Sequence, residues 1–357
     1  MNILIYGSRI IYGGGEKVLN WLANELLKDG HTVFFSTPHN DDGYQKKLDI
    51  VGLSGRVKIV EYPFHIKYRK PFRYFKHWLN IFKNNNIDVF VIFGGSLYEQ
   101  IAARVVNTKI LLSERVDPTS RPFLSRLLKQ IQYRFSDGYV FQTKEAAECY
   151  GKRAVRLGTI IPNPIIDNLP DPISPNRKEV VSVGRLSPQK NQRLLLDAFS
   201  IFHKVYPDYK LVIYGSGPLR DELICHAKDI GIEPVFTIVE GERNIAELIN
   251  GSELFVLSSL YEGMPNALIE AMAMGIVCIS TDCPIYGPRM LVENGVNAFL
   301  VPLNDAEQLA QKMIEAMTCD SEAVRSEAIK IRERLSSQRI AKSWIDYFHR
   351  LVSGNIG

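Results

Sequence analysis

Long hydrophobic runs are missing from this sequence: none of its 357 residues falls in a stretch of about 18 consecutive apolar side chains, the length that a membrane-spanning helix needs. The first residues, MNILIYGSRI, also lack a basic segment ahead of a hydrophobic one. These absences argue against a membrane span and against a signal peptide. We therefore expect a cytoplasmic protein, either free or peripheral on the inner face of the plasma membrane.

Cysteine is scarce and scattered. The chain has five cysteines, and its nearest pair, Cys278 and Cys283, has no cysteine or histidine companion at the spacing of a metal site. A disulfide framework is not expected in a cytoplasmic chain of this kind. The sequence therefore predicts reduced thiols and no metal site.

The dinucleotide fingerprint G-x-G-x-x-G is absent too, although apolar segments alternate with amphipathic ones throughout. NILIYG, HTVFFST, RVKIVEY, IDVFVIFGG, TKILLSE, GYVFQT and AVRLGTIIPNP predict buried strands separated by helices. This alternation is typical of an α/β, doubly wound parallel sheet. The missing fingerprint argues against a dehydrogenase built on such sheets.

A proline-rich segment interrupts the alternation. Residues 162–175 read PNPIIDNLPDPISP, and five prolines in fourteen residues exclude a helix or a central strand. The alternation then restarts with EVVSVGR, KLVIYGSG, VFTIVEG, LFVLSS and VCISTD. We predict two Rossmann-like domains facing a cleft, residues 1–165 and 176–335, with a last helix in 336–357 that packs back on the first domain.

Three glycines follow the first predicted strand in GSRIIYGGGEKVLN. Gly14 and Gly15 would let a phosphate approach the backbone at the start of a helix, whose N–H groups attract anions. A glycine turn that only allows the helix to pack is the alternative interpretation.

Two cations follow the first strand of the second domain in SVGRLSPQKN. Arg185 and Lys190 stand just before a helix, where charge-assisted hydrogen bonds to a diphosphate are favoured. Surface charges on a solvated loop are the alternative. The glycine turn in YGSGPLRDEL, which includes Gly215, is interpreted as structural when taken alone.

Two carboxylates flank a predicted helix start in SSLYEGMPNALIEAMAMG. Glu262 precedes the turn and Glu270 lies one turn into the helix, while the first N–H groups of the helix could hold a phosphate between them. Carboxylates accept paired hydrogen bonds from vicinal diols, so one could bind a sugar and the other a ribose. A nucleotide sugar fits this pattern.

Taken in order, these motifs resemble those of the retaining glycosyltransferases of family 4, which have the GT-B fold. The resemblance extends to IPNPI before the linker and to GVNAFLVP, and covers nearly the whole chain. It implies that Arg185 and Lys190 stabilise the leaving diphosphate, that Glu270 binds the donor ribose and that Glu262 contacts the transferred sugar. The further donor-binding residues that it implies are Gly14, Gly15, Gly215, Arg243, Asn244, Gly263, Met264, Asn266 and Ala267.

The resemblance implies transfer of a glycosyl group from a nucleoside diphosphate sugar with retention, without a required cofactor or metal. Cations and helix N–H groups aimed at the leaving phosphate would supply most of the acceleration. Glu262 is interpreted as a positioning residue, although paired carboxylates also serve as nucleophiles in hydrolases.

One departure from the family falls after the fifth strand, where many members carry a histidine and this chain reads SERVDP. Such a variant resembles enzymes that build bacterial surface glycans. Glu114 could contact a sugar, assist proton removal or pair with Arg115, and we retain it as a catalytic candidate, with Arg115 as a candidate acceptor residue.

The acceptor side is marked by a basic and aromatic stretch without acids, residues 64–87. On a helix beginning at Pro71, an apolar face of Phe72, Phe75, Leu79 and Phe82 would be flanked by Arg73, Lys76 and Lys83. Residues 119–136 form a second acid-free stretch. Such segments suit an anionic membrane surface or a lipid-linked phosphate. Ordinary core with a solvated rim is the alternative, and no nucleic-acid-binding motif accompanies the cations.

Two functions follow from these patterns. The first is an enzyme that transfers a sugar, from a UDP-hexose or UDP-N-acetylhexosamine, to a glycan acceptor linked to polyprenyl diphosphate in bacterial polysaccharide or glycan biosynthesis. The second is a non-catalytic nucleotide-sugar-binding subunit of the same fold. The presence of Arg185, Lys190, Glu262 and Glu270 together favours the enzyme.

Overall fold

The chain divides into two compact units in a computed structural model. Unit 1 comprises Met1–Ile166 and Ser337–Gly357, and unit 2 comprises Asp167–Ser336. The structure describes residues 1–6, 14–38, 55–63, 69–93, 97–115, 123–166, 169–242, 244–284 and 287–356. Unit 1 thus combines the first 166 residues with the last segment of the chain.

Unit 1 contains a seven-stranded sheet in which all neighbouring strands are parallel, in the order β3-β2-β1-β4-β5-β6-β7. Its central strands are buried along their whole length, as expected for a sheet covered on both faces. The strands are β1 (Asn2–Tyr6), β2 (Thr32–Pro38), β3 (Lys58–Tyr62), β4 (Val89–Ile92), β5 (Lys109–Ser113), β6 (Gly138–Phe141) and β7 (Gly158–Ile160). The described helices of the unit are α1 (Gly14–Lys28), α2 (Pro71–Asn84), α3 (Leu97–Val105), α4 (Phe123–Arg134), α5 (Lys144–Glu148), α6 (Lys152–Leu157) and, at the end of the chain, α14 (Ser337–Ser353).

The last helix, α14, is fastened to this sheet by a buried tyrosine. The Tyr347 hydroxyl accepts a hydrogen bond from the Tyr139 N–H at 2.8 Å and donates one to the Leu157 carbonyl at 2.5 Å. Trp344, one turn earlier, is fully buried. Because α14 has no strand of its own, its apolar face is buried against the sheet of unit 1 instead.

Unit 2 contains six parallel strands in the order β10-β9-β8-β11-β12-β13. They are β8 (Arg177–Val183), β9 (Lys210–Tyr214), β10 (Phe236–Val239), β11 (Ser252–Leu257), β12 (Val277–Thr281) and β13 (Phe299–Val301). The helices are α7 (Gln192–Val205), α8 (Arg220–Asp229), α9 (Ile245–Ile249), α10 (Asn266–Ala273), α11 (Ala306–Ala316), α12 (Ser321–Ile329) and α13 (Ile331–Arg334), with 3-10 turns at Pro188–Lys190, Glu233–Val235 and Pro288–Met290.

The core of unit 2 shows why the apolar segments became strands. Leu195, Phe199 and Phe202 of α7 are fully buried at helical spacing and belong to one cluster with Leu211 and Ile213 of β9. Each such side chain contributes about 1.5–3 kcal/mol through removal from water. The core therefore holds the strand ends, and the loops that follow them, in fixed positions.

The predicted fold class, two parallel doubly wound sheets, is confirmed. Two local predictions differ. The segment AVRLGTIIPNP was predicted as one strand, but α6 continues to Leu157 and only Gly158–Ile160 forms β7. At Gly158 a Cβ atom would lie 2.4 Å from the Ala154 carbonyl oxygen, so the glycine allows the chain to turn tightly from helix to strand. Strand β13 was not predicted as a strand.

Among the described helices, none combines the length and the apolar character needed to cross a lipid bilayer.

Candidate functional site

Strands β8 and β11 are neighbours in the sheet of unit 2, although β9 and β10 lie between them in the chain. The chain continues from β8 through β9 and β10 to one edge of the sheet, and from β11 through β12 and β13 to the other edge. Ligands of open parallel sheets bind outside the carboxyl ends of the strands at such a reversal. Two of the predicted motifs begin there, at the residues after Val183 and after Leu257.

Lys190 and Glu262 meet at this reversal. The Lys190 Nζ lies 2.6 Å from Glu262 Oε1, and their side chains are 20 % and 9 % exposed. Oε1 also accepts a hydrogen bond of 2.6 Å from the Ser259 hydroxyl. No donor among the residues that the structure describes reaches Oε2 of Glu262. One carboxylate oxygen is therefore fixed by two donors of the protein.

Three hydrogen bonds join the loops that carry the pair. Gln189 Nε2 donates to the Tyr261 carbonyl at 2.9 Å, and the Leu260 N–H donates to the Gln189 carbonyl at 2.8 Å. The Ser258 hydroxyl donates to the Lys190 carbonyl at 2.9 Å. These bonds hold the loop after β8 against the loop after β11, and so fix the Lys190 ammonium relative to the Glu262 carboxylate.

Ser259 is itself held from the neighbouring strand. Its carbonyl oxygen accepts hydrogen bonds from Thr281 Oγ1 at 2.6 Å and from Cys283 Sγ at 3.1 Å. Burial raises the pKa of the Cys283 thiol to about 12, so the thiol stays protonated and can donate. These contacts orient the Ser259 hydroxyl towards Glu262.

The glycine turn after β9 packs against the loop after β8. Gly215 has a φ of +154°, and a Cβ atom there would lie 2.0 Å from the Gly184 carbonyl oxygen. Gly217 is similarly placed against Leu186, whose N–H donates to the Ser216 carbonyl at 2.9 Å. Gly215 is therefore required for close backbone packing, and a contact with a ligand stays a prediction.

Helix α10 begins beside Glu262. Pro265 occupies its N-cap position and supplies no side-chain hydrogen bond to the helix. Gly263 lies in the turn before the helix, with Gly287 packed so closely that a Cβ atom on Gly287 would lie 1.6 Å from the Gly263 carbonyl oxygen. The N-terminus of α10 carries the positive end of the helix dipole, which favours an anion on the side of the Glu262 loop.

The remaining predicted donor residues are less closely grouped. Arg185 follows β8 on the same loop as Lys190; its side chain is exposed and makes no ion pair within the described part of the chain. Met264 is buried, and Glu270 is half-buried in the second turn of α10. Asn244 is exposed at the start of α9. Arg243 lies outside the described residues.

In unit 1, Glu114 and Arg115 follow β5 and contact different groups. Glu114 is 5 % exposed, and its Oε2 accepts a hydrogen bond from the Tyr150 hydroxyl at 2.8 Å. The Arg115 guanidinium donates to Ser113 Oγ at 2.9 Å and to Asn163 Oδ1 at 2.8 Å.

Aromatic rings enclose the same guanidinium. Arg115 lies over the rings of Phe93 and Trp344, at 5.0 and 5.2 Å from their centroids. Burial lowers the pKa of Arg115, and the nearby Glu114 carboxylate opposes that shift. This cage makes Arg115 a poor candidate for contact with a membrane surface, while its role towards an acceptor stays a prediction.

Gly14 and Gly15 are the first residues of α1, after β1, and the loop between Tyr6 and Gly14 lies outside the described residues. Their contact with a diphosphate stays a prediction.

The surface of α2 differs from the predicted apolar face. Its buried residues are Tyr74, Trp78, Ile81 and Phe82, whereas Phe72 is 78 % exposed. Tyr74 faces inward because its hydroxyl donates to the buried Glu99 carboxylate at 2.5 Å. Arg73, Lys76 and Lys83 are all exposed.

Sequence patterns did not single out the residues that support the Lys190–Glu262 pair. Ser259 and Gln189 lie inside the motifs quoted from the sequence. The serine pair Ser258 and Ser259, directly after a buried strand, could have indicated hydrogen-bond donors at the site. Thr281, Cys283 and Gly287 come from other segments, so their contacts with the site depend on the tertiary fold.

The sequence model of the family described as "Glycosyl transferases group 1" matches residues 170–336. Among curated proteins, the chain is 29 % identical over 316 residues, 84 % of each chain, to the Campylobacter jejuni GalNAc-alpha-(1->4)-GalNAc-alpha-(1->3)-diNAcBac-PP-undecaprenol alpha-1,4-N-acetyl-D-galactosaminyltransferase. It is 34 % identical over 135 residues to the Escherichia coli UDP-Gal:alpha-D-GlcNAc-diphosphoundecaprenol alpha-1,3-galactosyltransferase, covering 37 % of this chain and 34 % of that one.

Among solved structures, the chain is similar to Anabaena HepE in complex with UDP, with a TM-score of 0.81 and 18 % identity over 98 % of this chain and 100 % of that one. At this identity the similarity shows the fold alone.

Proposed function

Since residues 170–336 belong to the glycosyl transferases group 1 family and the chain has the GT-B fold, we propose that this glycosyltransferase transfers a sugar with retention from a nucleoside diphosphate sugar. The donor is a UDP-hexose or a UDP-N-acetylhexosamine. The acceptor is a glycan linked to polyprenyl diphosphate, in bacterial polysaccharide or glycan biosynthesis.

The observation that carries this proposal is the Lys190–Glu262 pair, with Glu262 in the loop that leads into α10. Breaking the bond between the anomeric carbon and the phosphate oxygen places negative charge on the leaving diphosphate. An ammonium and helix N–H groups fixed near that charge stabilise the transition state more than the ground state. Arg185, exposed on the same loop as Lys190, supplies a second cation.

Glu262 orients the sugar in this proposal. Its Oε1 is occupied by Lys190 and Ser259, whereas Oε2 can accept a hydrogen bond from a sugar hydroxyl. A carboxylate held by an ammonium is a poor nucleophile, so the geometry favours positioning over covalent catalysis. Glu270 binds the ribose from the second turn of α10.

The names of the relatives support the choice of substrates. Both the Campylobacter and the E. coli protein are named for undecaprenyl-linked acceptors and for α-linked products, and the latter is named for UDP-Gal. Transfer from an α-linked UDP-sugar to an α-linked product is retention at the anomeric carbon.

A surface on unit 1 would bring the enzyme to such an acceptor. We propose that Phe72, Arg73, Lys76 and Lys83 on α2 bind an anionic membrane, with Phe72 entering the interface and the cations contacting phosphate headgroups. The absence of acidic residues between residues 64 and 87 makes this surface complementary to anionic lipid.

The test is a transfer assay with purified protein, a panel of UDP-, GDP- and ADP-sugars, and short polyprenyl diphosphates that carry one to three sugars. Proton NMR of the product gives the anomeric configuration. The proposal predicts transfer from a UDP-sugar with an α-linked product, and a β-linked product would contradict retention. UDP-sugar binding without transfer to any acceptor would instead favour the non-catalytic nucleotide-sugar-binding subunit.

A further inference from the structure

Two histidines and an aspartate lie together in unit 1, away from the residues considered so far. Asp29 and His31 belong to the turn between α1 and β2, and His349 belongs to α14. One ligand atom from each of the three side chains lies within 4.8 Å of the others. Segments more than 300 residues apart in the sequence thus bring three metal-binding groups together.

His31 provides the clearest sign that this cluster serves a ligand. Its side chain is only 8 % exposed, and its Nε2 lies 3.2 Å from Asp29 Oδ2. The geometry of that contact does not form a hydrogen bond, so the buried Nε2 has no hydrogen-bond partner among the described residues. A buried polar atom without a partner is costly, and a bound cation would satisfy it.

The turn that carries Asp29 and His31 is fixed by the end of α1. The Asp29 N–H donates to the Glu25 carbonyl at 3.1 Å, and the His31 N–H donates to the Leu26 carbonyl at 3.0 Å. Gly30, with a φ of +82°, allows the tight turn between them. Two of the three ligands are therefore held by backbone hydrogen bonds before any ion binds.

His349 approaches from α14. Its ring centroid is 6.1 Å from that of His31, with an angle of 64° between the ring planes. His349 is exposed, so rotation of its side chain costs little. A tetrahedral zinc ion with bonds of about 2.0–2.2 Å would need ligand atoms about 3.3 Å apart, so His349 would have to rotate towards the other two ligands.

We propose that Asp29, His31 and His349 form a binding site for a divalent transition-metal ion of the zinc class. Imidazole and carboxylate ligands suit such ions, and the exposed side of the cluster leaves a fourth position for water. The ion fastens α14 to the turn after α1.

The test uses full-length protein that is stripped with a chelator and carries Cys149→Ser and Cys225→Ser, because these two exposed thiols could bind zinc. Zinc chloride is titrated by calorimetry. We expect one zinc ion per chain and a rise in Tm. His349→Ala should weaken zinc binding by at least about tenfold. Removing a residue that only hydrogen-bonds to a metal ligand already costs about that much, so removing a ligand should cost no less. His77→Ala, a half-buried histidine on α2, is the matched control and should bind zinc as the parent does.

Hydrogen exchange distinguishes the fastening role from adventitious binding. Zinc should slow exchange in Ser337–Ser353 in the parent but not in His349→Ala. Absence of one-to-one binding, or equal weakening by His77→Ala, overturns the site. If one zinc ion binds per chain but hydrogen exchange in α14 is unchanged, the proposal that the ion holds α14 to the turn after α1 is overturned. Because His349 is exposed, the folded state should tolerate its truncation, and circular dichroism checks this. None of these readouts depends on sugar transfer.

Discussion

Lys190 Nζ and Glu262 Oε1 lie 2.6 Å apart, although the two residues are separated by 72 positions in the sequence. The parallel sheet causes this proximity, because β8 and β11 are neighbours and each residue lies in the loop after its strand. A cation and a carboxylate are thereby held in one fixed geometry, as their proposed roles towards the leaving group and the sugar require.

Turnover should depend strongly on Lys190. Replacing it with alanine removes a cation from the developing phosphate charge, and we expect kcat to fall on the order of 100- to 1,000-fold, the loss typical of one removed oxyanion donor. The free energy of unfolding should fall by about 1–3 kcal/mol, because the buried Glu262 loses its partner.

Lys178→Ala is the matched control, since Lys178 forms an exposed ion pair with Asp208 at the other end of β8. It should leave kcat unchanged. Equal turnover in both variants, measured by release of the nucleoside diphosphate, would contradict the role of Lys190.

Ser259 should act through Glu262. Ser259→Ala removes the hydroxyl that donates to Oε1, so we expect kcat to fall by about tenfold with little change in nucleotide affinity, in keeping with about 1 kcal/mol for one net hydrogen bond. Ser259→Thr keeps the hydroxyl and should restore part of the activity.

A double-mutant cycle that combines Ser259→Ala with Glu262→Gln tests whether the effect of Ser259 on kcat depends on Glu262. The two changes should be strongly non-additive in kcat if Ser259 positions the carboxylate. Additive effects would mean that Ser259 acts independently of Glu262.

Gly215 should be indispensable for stability. A Cβ atom would collide with the Gly184 carbonyl oxygen, and the φ of +154° is unfavourable for alanine. We expect Gly215→Ala to lower the free energy of unfolding by about 1–3 kcal/mol in urea titrations.

Gly55→Ala provides the comparison, because among the described residues no atom beyond its chain neighbours lies within 4 Å of a Cβ atom built there. It should change stability little. A Gly215→Ala variant as stable as Gly55→Ala would show that the two loops can separate without cost.

Membrane binding should follow the cations of α2. Replacing Arg73, Lys76 and Lys83 with serine should weaken binding to phosphatidylglycerol vesicles on the order of 100-fold, at about 1 kcal/mol for each cation. Vesicle co-sedimentation at low salt measures this.

Serine replacements at Lys178, Lys204 and Lys228 of unit 2 change the net charge equally and should preserve binding. Equal weakening by the two triple variants would mean that net charge, rather than the surface of α2, attracts the lipid.

The fold could be predicted from the sequence because strands and domain boundaries are marked by short, local patterns of residues. Buried strands such as VFVI in β4 are continuous apolar runs, and five prolines interrupt the alternation close to the junction of the two units. The boundary between α6 and β7 was missed because AVRLGTII is mostly apolar and gives neither helical nor strand periodicity.

The site was only partly predictable for a physical reason. The proximity of Lys190 and Glu262 could be predicted because each lies in the loop after a strand, and the strand ends of a parallel sheet meet at one edge. The hydrogen bonds of Thr281 and Cys283 to Ser259, and the inward orientation of Tyr74 towards Glu99, depend on distant partners that no local pattern reveals.

The most direct test of the donor site is calorimetric titration of UDP into the wild-type protein, Lys190→Met and Lys178→Met. The account predicts that wild type and Lys178→Met bind UDP with equal affinity and that Lys190→Met binds at least about tenfold more weakly, corresponding to about 1.4 kcal/mol. Equal affinity in all three proteins would contradict the assignment of the nucleotide diphosphate to the Lys190–Glu262 site.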